Sequence, residues 1–326
     1  MSDQPASLPT RGHDLVPERL PNIFRLSAYQ HRPFADKMHE CTATLFHDQS
    51  TLRVTWMVSQ PDTRLHVGSL VAIRWFGRPT SQNGAIHIAR LVLIEKPEAS
   101  VNLFECIPSA WVADRELVKR GKVVLDWLPR NFSHLFNAIF WDDRRFHRYL
   151  IGPSSMAGHH NGPNGNLRHS IEVAETALLL VDEYRMAFAP VLILAALLHD
   201  AGKADEYSYA GGNRFSMSPR GVLIGHRLTV VEWIAAARAK HRVILPEAHY
   251  LSLMHALTAV QGAPDWMGMR APQSLEASIL SMADRLSGQS DLVERLAPKA
   301  EGFGQYHKHL RGRPYVVGEG RATILS

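Results

Sequence analysis

Residues 190–203 read PVLILAALLHDAGK, an apolar run that ends in an adjacent histidine and aspartate. The run predicts a buried helix, and Gly202 permits the backbone to break just after it. Burying His199 beside Asp200 is costly unless both groups are paired or bound to an ion. The stretch therefore indicates a metal site at the end of a core helix.

Further candidate ligands recur at nearly even steps along the second half of the chain. Each lies in a segment that reads as helix; they are His169, His226, His255 and Asp284. Imidazole nitrogens and carboxylate oxygens bind divalent cations. Taken singly, each of the last three is more readily a satisfied core histidine or a capping carboxylate. Together with His199 and Asp200, they predict a metal centre to which neighbouring helices contribute one ligand each.

The first half of the chain reads as a small β domain. Candidate strands cover residues 40–46, 51–58, 70–76 and 85–94, with turn-rich segments between them. Short strands of this kind suit a small closed barrel, and an OB-fold is the leading interpretation. Another small sandwich or barrel stays open as the alternative. The predicted fold class is an α+β multidomain chain, with an N-terminal OB-like β-barrel followed by an all-α domain.

Arginines and aromatic residues are interleaved in this β region. They are Arg53, Arg64, Arg74, Arg78, Trp56, Trp75 and Phe76. Guanidinium groups neutralise phosphates, and aromatic faces stack unpaired bases. For each residue alone, a core aromatic or a solvated arginine is the better interpretation. For the domain as a whole, the pattern supports the hypothesis that it binds single-stranded nucleic acid.

The chain is predicted to have five parts. Residues 1–37, rich in proline and polar residues, form a mobile lead-in, and 38–106 form the OB-like domain. Residues 107–151 are a helical connector, 152–297 are the helical domain with the ligands, and 298–326 are a basic tail.

Bulk properties narrow the function classes only modestly. The formal charge of +5 over 326 residues favours an anionic partner such as nucleic acid. No apolar run approaches the roughly 18 residues that span a bilayer, and the N-terminus has no secretory apolar core. The cysteines Cys41 and Cys106 show no metal-type pairing and suggest no disulfide framework. We expect a cytoplasmic protein with no membrane partner; a homo-oligomer is compatible with this sequence.

The order of the histidines and aspartates resembles that of the HD superfamily of metal-dependent phosphohydrolases. More narrowly, the chain is similar to the YhaM-type 3′–5′ exoribonucleases, which join an N-terminal OB-fold to an HD domain. The likeness covers about residues 38–296. Its motifs are HHN at 159–161 followed by Gly165 and His169, LHDAGK at 198–203, GVLIGH at 221–226, His255 followed by GAP at 262–264, and DRL at 284–286.

This resemblance implies a ligand set for one or two cations. One cation would be held by His169, His199, Asp200 and Asp284. A second would be held by His226 and His255, with Asp200 bridging. Manganese is the metal that the family implies, although these donor types also suit iron, magnesium, cobalt or zinc.

The resemblance also suggests roles around the metal. Asp200 and Lys203 would be catalytic, with Lys203 neutralising a phosphate oxygen or the leaving group; an exposed lysine after a helix is the alternative. His160 and Asn161 would contact substrate, or else order their loop, and Arg227 is a weaker phosphate contact. His159 is equally a structural residue.

Two departures from the family pattern bear on this assignment. The family usually has a second histidine and a glycine after the position of His255, where this chain has Ala256 and Leu257. This departure weakens a second metal site or the substrate contacts. The family's closing motif also tends to carry another aspartate, where this chain has Ser287.

The leading functional hypothesis is a metal-dependent 3′–5′ exonuclease acting on single-stranded RNA, with DNA as a further substrate. One alternative is an HD phosphohydrolase of nucleotides. Another is a non-catalytic, relaxase-like HD module of a mobile element that binds nucleic acid. The polarity of cleavage rests on the resemblance alone.

Overall fold

The protein is described by a computed structural model that covers residues 20–77, 81–82, 84–211 and 214–318. Arg78 and the first part of the expected lead-in, residues 1–19, lie outside the described residues. The chain divides into two compact units. The first is Met1–Lys96 with Leu103–Ala110, and the second is Pro97–Asn102 with Trp111–Ser326.

The first unit is built on one curled sheet. Within the described residues its strands are β1 (Phe24–Pro33), β2 (His39–His47), β3 (Ser50–Val58), β4 (Leu70–Arg74), β5 (Ser81–Gln82), β6 (Ala85–His87) and β7 (Arg90–Leu93). Their spatial order is β5-β6-β3-β2-β1-β4-β7. Short 3-10 helices at Ala35–Lys37 and Leu103–Cys106 complete the unit.

Alternation along the central strands decides which face of the sheet is buried. On β2, Cys41, Ala43 and Leu45 are buried, while the residues between them are partly exposed. On β3, Val54 and Trp56 enter the same core cluster. Side chains two apart share one face of a strand, so this period of two gives the sheet an apolar inner face.

The predicted strand over 85–94 is broken into two parts. Its first part, β6, pairs parallel with β3, and its second part, β7, pairs antiparallel with β4. Since β3 and β4 lie on opposite sides of the β2-β1 pair, one short stretch of chain joins both ends of the sheet. The break at Ile88 and Ala89 lets the stretch change partners, so the sheet curls.

The expectation of a mobile lead-in over residues 1–37 is wrong for residues 24–33. These form β1, which pairs with β2 on one side and with β4 on the other. Phe24 and Leu26 are fully buried, whereas most of the strand after them is polar and exposed. Arg25 is also buried, because Nε and Nη1 donate to the carbonyls of Cys106 and Gly68. The strand's sequence is too polar to predict it.

The second unit is helical. Its helices in the described residues are α1 (Arg115–Asp126), α2 (Arg130–Phe140), α3 (Asp143–Ile151), α4 (Gly165–Glu183), α5 (Ala189–Leu198), α6 (Lys203–Glu206), α7 (Pro219–Leu223), α8 (His226–His241), α9 (Glu247–Thr258) and α10 (Leu275–Leu296). Two small hairpins join them: β8 (Tyr207–Tyr209) with β9 (Phe215–Met217), and β10 (Gly302–Phe303) with β11 (Tyr315–Val316).

Helix α5 is the predicted core helix. Every residue from Val191 to Leu198 is fully buried. The helix packs against α2, α4, α9 and α10, and Pro190 lies in its first turn, where the lack of an N–H is harmless. Because α5 is surrounded by these helices, its C-terminal end, with His199, lies in the interior of the helical unit.

The described part of the predicted basic tail is folded. Gly304 donates its N–H to Pro314 in the β10–β11 hairpin, and Gln305 donates to the carbonyl of Leu296 at the end of α10. In the described residues, no helix has the length and apolar character needed to cross a bilayer.

Candidate metal centre

Three side chains from three helices converge in the second unit. His169 on α4, His199 at the end of α5 and Asp284 on α10 each offer a ligand atom, all within 4.8 Å of one another. Nε2 of His169 lies 3.0 Å from Oδ1 of Asp284 and 3.2 Å from Nε2 of His199. Both histidines are buried. The structure thus brings together three of the four ligands assigned to the first cation.

Asp200 completes this group and extends it. Its Oδ2 lies 3.5 Å from Nε2 of His169 and 3.6 Å from Nε2 of His199. Its other oxygen, Oδ1, lies 3.4 Å from Nε2 of His226 at the start of α8. The carboxylate therefore lies between the three-residue cluster and His226.

Hydrogen bonds fix the tautomers of His199 and His226. Nδ1 of His199 lies 2.8 Å from the carbonyl oxygen of Ala196, and Nδ1 of His226 lies 2.7 Å from Oε2 of Glu206. A carbonyl or carboxylate oxygen only accepts, so each Nδ1 carries the proton. With Nδ1 engaged in this way, Nε2 is the nitrogen of each ring that faces Asp200, which is the usual preparation of a ligating imidazole.

His169 is prepared in the same way through a hydroxyl. Ser287 donates to Oε2 of Glu172 at 2.8 Å, so its oxygen accepts the Nδ1 proton of His169 at 3.0 Å. Nε2 of His160 also donates to Oε2 of Glu172, at 2.8 Å. Nε2 of His169 is the ring nitrogen left facing the carboxylates.

These donors fit a divalent cation. The cluster gathers two carboxylates and the Nε2 atoms of two buried histidines, a donor set typical of divalent-cation sites. Two ligand atoms about 2.1 Å from a shared ion stand about 3.0–3.4 Å apart, close to the contacts found here. The residues that would hold the ion are His169, His199, Asp200 and Asp284.

Buried charge sets the protonation of the centre. Burial opposes ionisation of Asp200, but Lys203 and the neighbouring histidines outweigh it and lower the pKa of the carboxyl. The pKa of Asp284 is likewise lowered, since its bonds to His169 and His199 outweigh burial. Both carboxylates are therefore ionised at neutral pH. Burial lowers the pKa of His169, which favours its neutral, ligating form.

A cavity of about 250 Å³ opens beside the cluster. Its polar wall carries His159, Asp200, Lys203, His226, Arg227 and Asp284. Its apolar wall carries Ala256, Leu257, Val260, Ala277 and Leu280. A lining that combines charged and apolar side chains suits a ligand with a phosphate and a less polar body.

Lys203 is a buried residue of this wall and not an exposed lysine. Its ammonium contacts Oδ2 of Asp200 and donates to Oγ of Ser154 at 3.2 Å. Ser154 in turn donates to the same Asp200 oxygen at 3.3 Å. The side chain is therefore held against the cavity, within reach of a bound phosphate.

Two of the three predicted substrate contacts lie elsewhere. The side chain of His160 is 2% exposed and bonds Glu172, and its backbone N–H donates to Asp291. Asn161 accepts a bond from Arg295 and does not line the cavity. His160 therefore supports the ligand shell, because a buried, bonded imidazole cannot meet substrate.

Arg227 and His159 do line the cavity. Nη1 of Arg227 donates to the carbonyl of Ala259 at 3.1 Å, which holds the guanidinium on the wall. The ring of His159 lies 4.6 Å from that of His169, and burial lowers the pKa of His159 to about 4. Of the two adjacent histidines in the HHN motif, the first and not the second faces the site.

His255 is not brought to the metal cluster, which corrects its assignment as a ligand. Its Nε2 accepts the backbone N–H of Gln273 at 2.9 Å, and the residue does not line the cavity. Successive residues on a helix point about 100° apart. Helix α9 accordingly turns Ala256 and Leu257 toward the cavity, and His255 away from it.

Several supporting residues were missed by the sequence reasoning. Ser154 bonds Asp200 and Glu206 bonds His226, while Glu172 reaches His169 through Ser287. Asn166, one turn before His169 on α4, donates to the carbonyl of Asp200 at 3.3 Å. Their signal in the sequence is weak: each is an ordinary polar residue, and only the fold shows which one is buried.

The residues proposed for nucleic-acid binding in the first unit lie in different environments: some are buried, some exposed, and one lines a groove. Trp56 is buried in the core, and Trp75 packs against it. Phe76 and Arg74 are exposed, and Arg64 pairs with Asp62 and Glu95. Arg53 lines a polar groove of about 390 Å³, together with Gln30, His31, Arg32, Glu40, Thr42, Thr55, Ala85 and His87.

Comparison with known families agrees with this geometry. Residues 166–289 match the family model of the HD domain. No curated protein and no solved structure matches the chain. The matched segment contains His169, His199, Asp200 and Asp284, and an HD domain together with a histidine–aspartate cluster indicates a metal-dependent phosphohydrolase.

Proposed function

We propose that the protein is a metal-dependent 3′–5′ exonuclease that hydrolyses phosphodiester bonds in single-stranded RNA, with DNA as a further substrate. The convergence of His169, His199, Asp200 and Asp284 inside an HD domain carries the hydrolase part of this proposal. The choice of a nucleic-acid substrate is supported by the first unit, and the 3′–5′ polarity follows the resemblance to the YhaM-type enzymes.

The metal and the chain have separate tasks. A divalent cation, for which manganese is the proposed choice, lowers the pKa of water and offsets charge on a phosphodiester. The two carboxylate oxygens of Asp200 face different histidines, Oδ2 facing His169 and Oδ1 facing His226, so Asp200 links the metal cluster to the cavity. Lys203 and Arg227 on the cavity wall bind the non-bridging oxygens, and neutral His159 donates a hydrogen bond.

The size of the cavity favours attack at a chain end. At about 250 Å³ it lies below the range of about 300–1,000 Å³ for pockets that enclose drug-sized ligands. A cavity of this size suits the terminal unit of a strand. Its apolar wall, formed by Leu257 and Leu280 among others, suits the uncharged face of a terminal nucleoside.

The sheet of the first unit supports capture of a strand. The order of its strands, with β6 and β7 joining both ends, fits an OB-fold. Arg53 gives its groove a positive charge, and His31 and His87 give it hydrogen-bonding groups. Grooves of this kind on OB-folds follow the backbone of single strands.

A nucleotide phosphohydrolase is the second candidate, and the small cavity with one apolar wall favours it. Salt dependence separates the two. A strand that contacts several arginines and lysines releases counterions, so its affinity falls steeply with salt, whereas a mononucleotide shows little change.

The direct test uses 5′-labelled RNA and DNA oligonucleotides with Mn²⁺ or with chelator. We expect a Mn²⁺-dependent ladder that shortens from the 3′ end, abolished in Asp200→Asn. Asp126→Asn, a partly exposed carboxylate on α1, is the matched control and should cut normally. Intact oligonucleotides together with hydrolysed nucleotides would replace the exonuclease proposal with the second candidate.

A further inference from the structure

We propose that this centre holds a single divalent cation, and that the ammonium of Lys203 stands where a second cation would assist. The inference rests on the proposed function and decides between the one-cation and two-cation arrangements that the family resemblance implies. Three observations carry it: the donors around His226, the orientation of α9, and the placement of Lys203.

Too few donors surround His226 to hold an ion. Its Nε2 faces one oxygen of Asp200 at 3.4 Å. Glu206 is bonded at Nδ1 on the other side of the ring, at 2.7 Å, and so cannot share an ion with Nε2. Among the described residues, the carboxylates within 4.0 Å of the ring nitrogens of His226 are those of Asp200 and Glu206 alone. Catalytic cations are ordinarily held by three protein ligands.

Helix α9 does not supply the missing donors. His255 is turned away and bonded to the backbone of Gln273. Ala256, at the position where the family usually has a second histidine, lines the cavity with a methyl group. The wall that would complete a second site is therefore apolar.

Lys203 brings a fixed positive charge to the cavity. The ammonium has three donors, and Asp200 and Ser154 take two of them. Gly202 makes this placement feasible: a Cβ there would lie 2.1 Å from the carbonyl oxygen of His226. The start of α6 can thus press against the start of α8, which brings Lys203 between Asp200 and the cavity.

An ammonium can neutralise a phosphate oxygen as a metal ion does. Unlike a metal ion, it cannot be coordinated by Nε2 of His226. Removing it should therefore have opposite effects on two quantities. Without the cation against Oδ2, Asp200 is freer to bind the metal, so metal affinity should rise. Stabilisation of the reacting phosphate is lost, so turnover should fall. A lysine with only a structural role would lower both or neither.

The first experiment counts ions in the full-length protein. After equilibration with excess Mn²⁺ and removal of free metal, elemental analysis should give one Mn²⁺ per folded chain. Its low-temperature electron paramagnetic resonance spectrum should be that of an isolated ion. Two ions per chain with an exchange-coupled spectrum would overturn the inference and leave the proposed hydrolase intact.

Two variants test the roles of Ala256 and Lys203 separately. Ala256→His should restore a donor and raise the Mn²⁺ content toward two per chain, with a coupled spectrum; a folded variant that still binds one contradicts the role assigned to Ala256. If this variant fails to fold, the wild-type count still decides the number of ions. Lys203→Met should bind Mn²⁺ more tightly while kcat falls about 100-fold. Lys240→Met, on the exposed face of α8, is the control for lost charge.

The failures are distinguishable. One tightly held ion with no hydrolysis of any phosphodiester or nucleotide overturns the proposed function and leaves the count correct. Binding of no ion by the wild-type protein overturns both. Tighter Mn²⁺ binding without loss of kcat in Lys203→Met overturns the role given to the ammonium.

Discussion

The hydroxyl of Ser287 accepts a hydrogen bond from Nδ1 of His169 at 3.0 Å and donates one to Oε2 of Glu172 at 2.8 Å. Ser287 lies one turn beyond Asp284 on α10, where the family tends to have a carboxylate. The chain therefore retains a carboxylate behind His169, supplied by Glu172 through the hydroxyl. The departure at this position is compensated by packing and is not a lost function.

Replacing this serine should weaken the metal site without dismantling it. In Ser287→Ala, His169 loses the acceptor that fixes its tautomer, and groups behind a ligating histidine typically contribute tenfold to 100-fold in metal affinity. We expect the Kd for Mn²⁺ to rise at least tenfold in isothermal titration calorimetry. Ser109→Ala, an exposed serine of the first unit, should leave the Kd unchanged. An unchanged Kd in Ser287→Ala would disprove the relay.

His255 should be dispensable for metal binding. His255→Ala removes only an acceptor for the N–H of Gln273, so the expected loss is about 1 kcal/mol of stability, with Mn²⁺ content unchanged by elemental analysis. His199→Ala, in the same assay, should bind no Mn²⁺. Loss of metal from folded His255→Ala would show that α9 turns its ligand inward after all.

Strand capture should depend on the groove of the first unit. Arg53→Ala should weaken binding of single-stranded RNA. The slope of log Kobs against log salt should become about one unit less steep, because one phosphate contact is lost. Arg64→Ala is the matched control, since Arg64 is already paired with Asp62 and Glu95. Fluorescence anisotropy with a catalytically inactive Asp200→Asn background measures both. Equal effects of the two substitutions would exclude the groove as the binding surface.

The two cysteines should be inert in the folded protein. Burial raises the pKa of Cys106 to about 12, and burial also raises that of Cys41. At pH 8 both groups are therefore thiols, and thiolate is the reactive form. We expect almost no reaction with Ellman's reagent until denaturant is added, when both react. Rapid labelling of native protein would contradict the packing of β2 and of the 3-10 helix at Leu103–Cys106.

The sequence predicts the parts of the site that depend on strong local patterns. The apolar run from Pro190 to Leu198 predicts a buried helix. The structure has this helix, and His199 and Asp200 follow at its end. His169 and Asp284 follow because each lies on a helix whose apolar residues face that core. The structure brings these predicted ligands together, and the HD match spans them.

The rest depends on rotations and partners that local patterns do not carry. On α9, a difference of one residue decides whether a side chain faces the cavity. His255 faces away from it and accepts the backbone N–H of Gln273. The same is true of His159 and His160, since His160 has a positive φ of 45° that turns the two side chains apart. Strand β1 was missed because its partners, β2 and β4, are distant in the chain and its own sequence is polar.

The central claim is that one centre, held by His169, His199, Asp200 and Asp284, binds the metal and cleaves phosphodiesters. Metal content and hydrolysis of 5′-labelled single-stranded RNA, measured on the same samples of wild type and Asp284→Asn, test it most directly. We predict one Mn²⁺ and a shortening ladder for the wild type, and neither for a variant whose circular dichroism is unchanged. A folded Asp284→Asn that binds Mn²⁺ and degrades RNA like the wild type would contradict the account.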